Sequence, residues 1–292
     1  MAYFGETLAL STALVWATAV VFFKLSGERV NPLALNLFKN SLALLLLLPT
    51  LYLFGFKLFR DVPTWEYLAI FGAGALGIGI ADWFFFMSLN RLGAGMTSII
   101  DCLYSPSIIL LSMLWWNETL TGMQVVGAIL IVSAVLTATR YEGNLSRKQL
   151  GLGIFLGVMA MLLNALAIVP IKPILDRSPL LWLTVYRLAG GVVANLVTLA
   201  FHPGRKRILQ SMFSVGSRRY SLIGSFLGTY IAILLWLGGM KYTQMSVASA
   251  LNQTSNIFLY IFAGVFLKEK LNWKMTIGIV LGIGGVFLVI FG

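Results

Sequence analysis

Long apolar runs separated by short polar connectors make up nearly the whole chain. Ten runs close to twenty residues fall at about 4–25, 32–54, 65–89, 95–116, 122–140, 149–171, 179–201, 219–242, 246–267 and 273–291. About twenty apolar residues in helical conformation cross the hydrocarbon core of a bilayer. A transmembrane barrel would instead show segments of roughly ten residues with alternating polarity, and none are present. The pattern predicts an all-α polytopic membrane protein with ten transmembrane helices. Pro32 and Pro179 open two of them, at a position where the missing backbone donor costs nothing. Connectors are short, so the chain forms one membrane domain.

The order of blocks repeats. Residues 77–136 slide onto 228–287 without a gap, which brings Gly77 onto Gly228, Asp101 onto Asn252, Glu118 onto Glu269 and Gly127 onto Gly278. Each copy reads apolar segment, polar connector, apolar segment, Glu-x-Leu connector, apolar segment. Such duplication predicts two five-helix repeats, 1–140 and 149–292, joined by a hinge at 141–148. An odd number of crossings per copy inserts the second upside down relative to the first. Inverted repeats place a substrate site near the bilayer midplane between the halves.

Composition agrees with a lipid environment: 59% of residues are hydrophobic and 11% charged, with a mean hydropathy of +0.90. The formal net charge is +11. The basic residues sit mainly in connectors, as in Arg147-Lys148, Arg205-Lys206-Arg207, Arg218-Arg219 and Lys268/Lys270/Lys274. Loops held at an anionic cytoplasmic surface look like this. No soluble basic domain exists to bind nucleic acid. The Lys/Arg distribution puts both termini outside. The opening residues Met1-Ala2-Tyr3-Phe4-Gly5-Glu6 lack a positive n-region and a cleavage site, so the first apolar run is expected to be retained. Cys102 has no second cysteine to pair with, and His202 stands in a connector without Cys or acidic neighbours. Neither a disulfide within the chain, nor a metal site, nor a cofactor is expected.

Polar groups within the spans are expensive in lipid and ask for a reason. The second span carries Asn36, Lys39 and Asn40 on one face, and the third carries Asp82 beside Trp83. In the fourth, Thr97, Asp101, Tyr104 and Ser105 form a stripe. The seventh holds Tyr186 and Arg187. The ninth presents Ser249, Asn252, Gln253, Asn256 and Tyr260 as a second stripe. The repeat overlays Asp101 and Ser105 on Asn252 and Asn256. Lys39, Asn36, Asp82, Trp83, Asp101, Tyr104, Arg187, Asn252, Gln253 and Asn256 are therefore the candidate substrate-binding residues, in a cavity between the second, third, fourth, seventh and ninth spans. The carboxylates Asp101 and Asp82 are the candidates for proton coupling. The competing structural reading is that the charges pair internally and fix helix register. Glu118 and Glu269, at span ends, read as caps or loop partners, and Lys24 and Lys241 as residues reaching the interface. The string Gly72-Ala73-Gly74-Ala75-Leu76-Gly77 fits a dinucleotide fingerprint, yet it lies within an apolar span and reads as helix packing. Gly153/Gly157, Gly224/Gly228 and Gly278/Gly282 carry the same packing signal. No nucleophile–base pair supports catalysis.

Taken together, Pro106 through Leu120 with Gln124 and Gly127, then Leu267–Leu271 with Gly278, Gly282 and Gly285, resemble the drug/metabolite transporter superfamily, EamA type. Pro32 followed by Lys39, and Pro179 followed by Arg187, are similar to the family's Pro-then-Arg second span. Lys39 stands where the family commonly has Arg, and Ile257 replaces the counterpart of Pro106. The Pro-to-cation spacing is one residue longer in the second half. The resemblance implies a multi-pass carrier of the cell (inner or plasma) membrane, monomer or homodimer, working by alternating access and often coupled to protons or exchange. It also implies termini in the cytoplasm, against the Lys/Arg distribution. Both signs of charge in the cavity suit a small zwitterion such as an amino acid. An organic cation is the near alternative, and a membrane enzyme, passive channel or scramblase the distant ones.

Overall fold

The computed structural model describes residues 3–116, 121–139, 146–212 and 216–291. The first Glu-x-Leu connector with Glu118, Arg140 and most of the hinge lie outside the described residues. Among the described residues all regular structure is helical. Seven helices are long and apolar enough to cross a membrane, and three shorter apolar helices complete ten spans. They are α1 (Phe4–Gly27), α2 (Pro32–Leu53), α3 (Thr64–Leu92), α4 (Ala94–Trp115), α5 (Gly122–Thr139), α6 (Arg147–Arg177), α7 (Leu180–Phe201), α8 (Arg218–Tyr242), α9 in two pieces (Met245–Asn252 and Ser255–Val265) and α10 (Trp273–Phe291).

Local chemistry sets several of the ends. Asn31 caps α2, its Oδ1 accepting from the Leu33 N–H at 2.9 Å, with Pro32 at the first helical position. Ser146 and Gln149 form a reciprocal capping box at the start of α6. α6 runs six residues beyond its expected end. Pro170 breaks the regular hydrogen bonding into a tight turn at Val169–Ile171, and helix resumes at Lys172–Arg177. The connector after α7 contains a short helix, Arg205–Met212, which hides Ile208 and exposes its three basic residues.

The duplication is written in the irregularities. α3 contains a π-helical segment, Ala75–Ala81, and α8 contains one at Phe226–Ile231. The shift that carries Gly77 onto Gly228 carries Ala75 onto Phe226. α4 is interrupted after Asp101 and resumes at Tyr104, and α9 is interrupted after Asn252 and resumes at Ser255. These positions are related by the same shift. In α4 the cause is Pro106, which removes the donor for the Cys102 carbonyl. α9 has Ile257 there, and its break rests on Thr254, whose hydroxyl donates back to the Leu251 carbonyl at 2.7 Å.

Helices approach closely where glycines meet. A Cβ added to Gly74 would lie 1.9 Å from the Arg187 carbonyl oxygen, and one on Gly190 would lie 2.0 Å from that of Phe71. The glycine string in α3 thus serves the α3–α7 crossing. A Cβ on Gly285 would meet the Gly127 carbonyl at 2.6 Å, joining α5 and α10 to one side of the bundle.

A π-helical turn displaces backbone carbonyls from their usual donors. In α3 these are taken up by α2: the Asn36 amide donates to Ile78 O at 3.0 Å and Gly79 O at 2.8 Å, and Asn40 donates to Ile78 O at 3.2 Å. Asn36→Leu keeps the forked shape of the side chain and strands these acceptors. It is expected to cost about 1–3 kcal/mol, read as a lower unfolding midpoint of the purified protein.

Candidate functional site

The interrupted helices meet at the centre of the bundle. Gln253 donates to the Asp101 carbonyl at 3.1 Å, tying the break in α9 to the break in α4. Around them lies a cavity of about 120 Å³. Of the expected residues, Lys39, Asp82, Asp101, Tyr104, Arg187, Asn252 and Gln253 line it.

Asn36, Trp83 and Asn256 do not line it. Asn36 is fully buried on the α3 carbonyls, and its amide also reaches Asn195 Oδ1 at 3.1 Å. Trp83 packs against Phe84. Asn256 turns to Gln253 Oε1 and to the Cys102 sulfur. An in-span amide opposite an irregular helix has backbone to satisfy, and that demand outranks a ligand.

The cavity also reaches helices that the polar stripes did not single out. α1 contributes Thr12 and Trp16, α6 contributes Met161 and Asn164, and α8 contributes Thr229 and Trp236. The repeat relation was the available signal, because α6 and α8 are the second-half counterparts of α1 and α3. The lining is mostly apolar between the charged groups, with Ile78, Phe85 and Ile233 among them.

The four charged groups are not equivalent. Lys39 Nζ lies 2.8 Å from Asp82 Oδ2 and 2.9 Å from Asn40 Oδ1. Asn164 Nδ2 lies 3.4 Å from Asp82 Oδ1. That pair is closed on itself. Arg187 is different. Its side chain is 0% exposed, and its Nε, Nη1 and Nη2 have no hydrogen-bond partner. Its guanidinium carbon sits 5.4 Å from the centroid of the Trp236 ring, a favourable cation–π contact that leaves every donor unspent. The buried Tyr104 hydroxyl, Thr229 Oγ1 and Asn252 Oδ1 are likewise unpartnered. Among the described residues the Asp101 carboxylate takes part in no ion pair and accepts no hydrogen bond. The site therefore offers one open cation and one open anion beside a neutralised pair. A small molecule carrying both signs would satisfy both.

At the span ends, Glu269 accepts from the α4 backbone at Ala94 (2.8 Å) and Gly95 (2.9 Å), a helix-start contact between the halves. Lys24 donates to the Leu89 carbonyl at 3.1 Å, and Lys241 donates to that of Ser178, so both are held by protein rather than reaching into water. His202 accepts from its own turn at Gly204.

Two stretches of the chain, residues 3–140 and 151–291, each match the model of the EamA-like transporter family. The chain belongs to that family. A protein of Archaeoglobus fulgidus described as an uncharacterized transporter is 26% identical over 97% of this chain and 96% of its own length. An uncharacterized transporter of Methanothermobacter thermautotrophicus is 28% identical over 76% of this chain and 64% of its own. A solved crystal structure matches with a TM-score of 0.72 over 97% of this chain and 95% of that one, at 17% identity, which is a likeness of fold. Family and relatives make the protein a multi-pass membrane transporter of the EamA type.

Proposed function

We propose that the protein is a secondary carrier of a small zwitterionic metabolite, with an amino acid as the reference substrate, working by alternating access between its two five-helix halves. The unpartnered guanidinium of Arg187 carries this reading. A buried arginine with all its donors free is matched by a carboxylate, which it holds with two parallel hydrogen bonds. Asp101 takes the positive group, and a proton replaces that group when the site is empty. Asp82 stays with Lys39. The apolar lining from Ile78, Phe85 and Ile233 accommodates the remainder of the molecule. The organic-cation reading would need Arg187 to be satisfied internally, and it has no such partner among the described residues.

The test uses the full chain in proteoliposomes with labelled amino acids. Saturable uptake with counterflow is expected, whereas uptake without counterflow means a channel. Competition by organic cations and not by zwitterions favours the alternative substrate class. With substrate in hand, Asp101→Asn should lose accumulation driven by an imposed pH difference, with exchange remaining only at raised substrate concentration because the positive group has lost its counter-ion. Accumulation that persists in Asp101→Asn removes that residue from the coupling step.

A further inference from the structure

A threonine inside a helix commonly spends its hydroxyl on the carbonyl one turn back. The spans of this protein follow that habit. Thr12 donates to the Leu8 carbonyl, Thr184 to that of Leu180 and Thr198 to that of Ala194, each at 2.8 Å, and Thr97 donates to Gly93 at 2.6 Å. On α8 itself Ser225 donates to the Ser221 carbonyl at 2.6 Å. Thr229, one turn further on, breaks the habit. It stands in the π-helical segment Phe226–Ile231, whose wider winding displaces the carbonyl that would accept from it. Thr229 is 2% exposed, its Oγ1 has no hydrogen-bond partner, and it lines the central cavity.

Packing gives no reason for this hydroxyl. Valine has the same shape and would avoid the cost of burying an unpaired polar group. The repeat makes the same point, because the shift that carries Gly77 onto Gly228 carries Ile78 onto Thr229. Both residues line the cavity, and in the first half hydrocarbon serves at that position. The backbone beside Thr229 is closely seated on α1: a Cβ on Gly228 would lie 2.8 Å from the Phe23 ring and 2.9 Å from the Ala19 Cβ. The hydroxyl is therefore held at a fixed point. From the same half, Asn252 brings a buried, unpartnered Oδ1 to the cavity wall. Its neighbour Gln253 is already committed to the Asp101 carbonyl and to Asn256.

A hydroxyl on a ligand needs one acceptor and one donor. Asn252 Oδ1 supplies the first and the Thr229 hydroxyl the second. Neither Arg187 nor Asp101 is used up in the exchange. We infer that Thr229 is a specificity-determining residue which, with Asn252, holds a neutral hydroxyl on the side chain of the substrate. The inference rests on the zwitterion reading of Arg187 and Asp101 and narrows it: of two zwitterions of equal size, the one bearing a hydroxyl is preferred. The cavity of about 120 Å³ keeps that side chain short. A site that hydrogen-bonds a hydroxyl rejects the analogue without it far more strongly than an apolar pocket sorts by size, because its polar groups are left unpaired.

Threonine and valine, which differ by a hydroxyl in place of a methyl group, are the probes. In proteoliposomes holding the full chain, kcat/KM for exchange of labelled threonine should exceed that of labelled valine by at least about tenfold. Thr229→Val should bring the ratio close to one and unfold no earlier than the native protein. Thr229→Ser keeps the hydroxyl and should keep the preference. The comparison on the native protein depends on no variant. Equal exchange of the two amino acids, or preference for valine, overturns the inference and leaves the zwitterion reading standing. A preference for threonine that survives Thr229→Val overturns the role of Thr229. Exchange of neither amino acid overturns the zwitterion reading, and the inference falls with it.

Discussion

Arg187→Met should abolish transport and leave the protein at least as stable as before. Both halves of that expectation come from one feature. The guanidinium is fully buried and none of its nitrogens has a hydrogen-bond partner, so the empty protein bears a desolvation cost that the Trp236 ring offsets only in part. Met fills similar volume without a charge, and it can still pack on Trp236. Relief of the cost should raise the unfolding midpoint, at about 2–4 °C for each kcal/mol recovered. The substrate meanwhile loses two charge-assisted hydrogen bonds of about 1.5–3 kcal/mol each, or roughly 10²- to 10⁴-fold in affinity. Counterflow in proteoliposomes and a thermal unfolding curve on the same preparation read the two effects. A fall in stability with transport intact would make Arg187 a packing residue and remove the main support for a carboxylate-bearing substrate. Arg187→Lys separates charge from geometry: an ammonium keeps the sign but not the fork, so partial loss is expected.

The sequence carried the ten spans because burial in lipid leaves a signal at every residue, and apolar runs of the required length are hard to mistake. It carried the duplication too, and with it the pairing of Asp101 with Asn252. What it did not carry was backbone irregularity. Nothing in Ala75–Ala81 announces a π-helical segment, so the sequence pattern points Asn36 at a ligand, whereas its partners are the Ile78 and Gly79 carbonyls. The same limit applies to the charges. Four in-span charged residues are plain in the sequence, but which of them pair depends on helix rotation, and rotation is set by close contacts such as Gly74 against Arg187. Thr12, Trp16, Asn164 and Trp236 escaped notice for another reason. Asn164 and Trp236 stand alone in apolar runs, and Thr12 and Trp16 lie among Ser11 and Thr18 in the first span, where scattered small polar or aromatic residues are indistinguishable from packing. Applying the repeat to α1 and α3 would have directed attention to α6 and α8.

The Lys39–Asp82 pair should respond to mutation in the opposite sense from Arg187. It is formed, at 2.8 Å, and Asn40 and Asn164 support its two ends. Breaking a buried pair from one side leaves a charge without its counter-ion, at about 3–5 kcal/mol. The two sides are not equal. Lys39 is 2% exposed and Asp82 is 18% exposed at the cavity wall. Lys39→Ala strands a carboxylate that cavity water can reach and should fall at the lower end of that range. Asp82→Ala strands an ammonium in the wall between α2 and α3 and should be the more damaging. Removing both charges should restore most of the stability, and the difference between the double variant and the sum of the singles measures the coupling. That cycle, run by thermal unfolding without and with substrate, also separates two roles for Lys39. If the pair only holds α2 against α3, the coupling is the same in both conditions and the double variant still exchanges substrate. If the substrate's anionic group displaces Asp82 from Lys39 during transport, substrate lowers the coupling and the double variant does not transport. The closed geometry around Lys39, set against the open donors of Arg187, favours the first outcome.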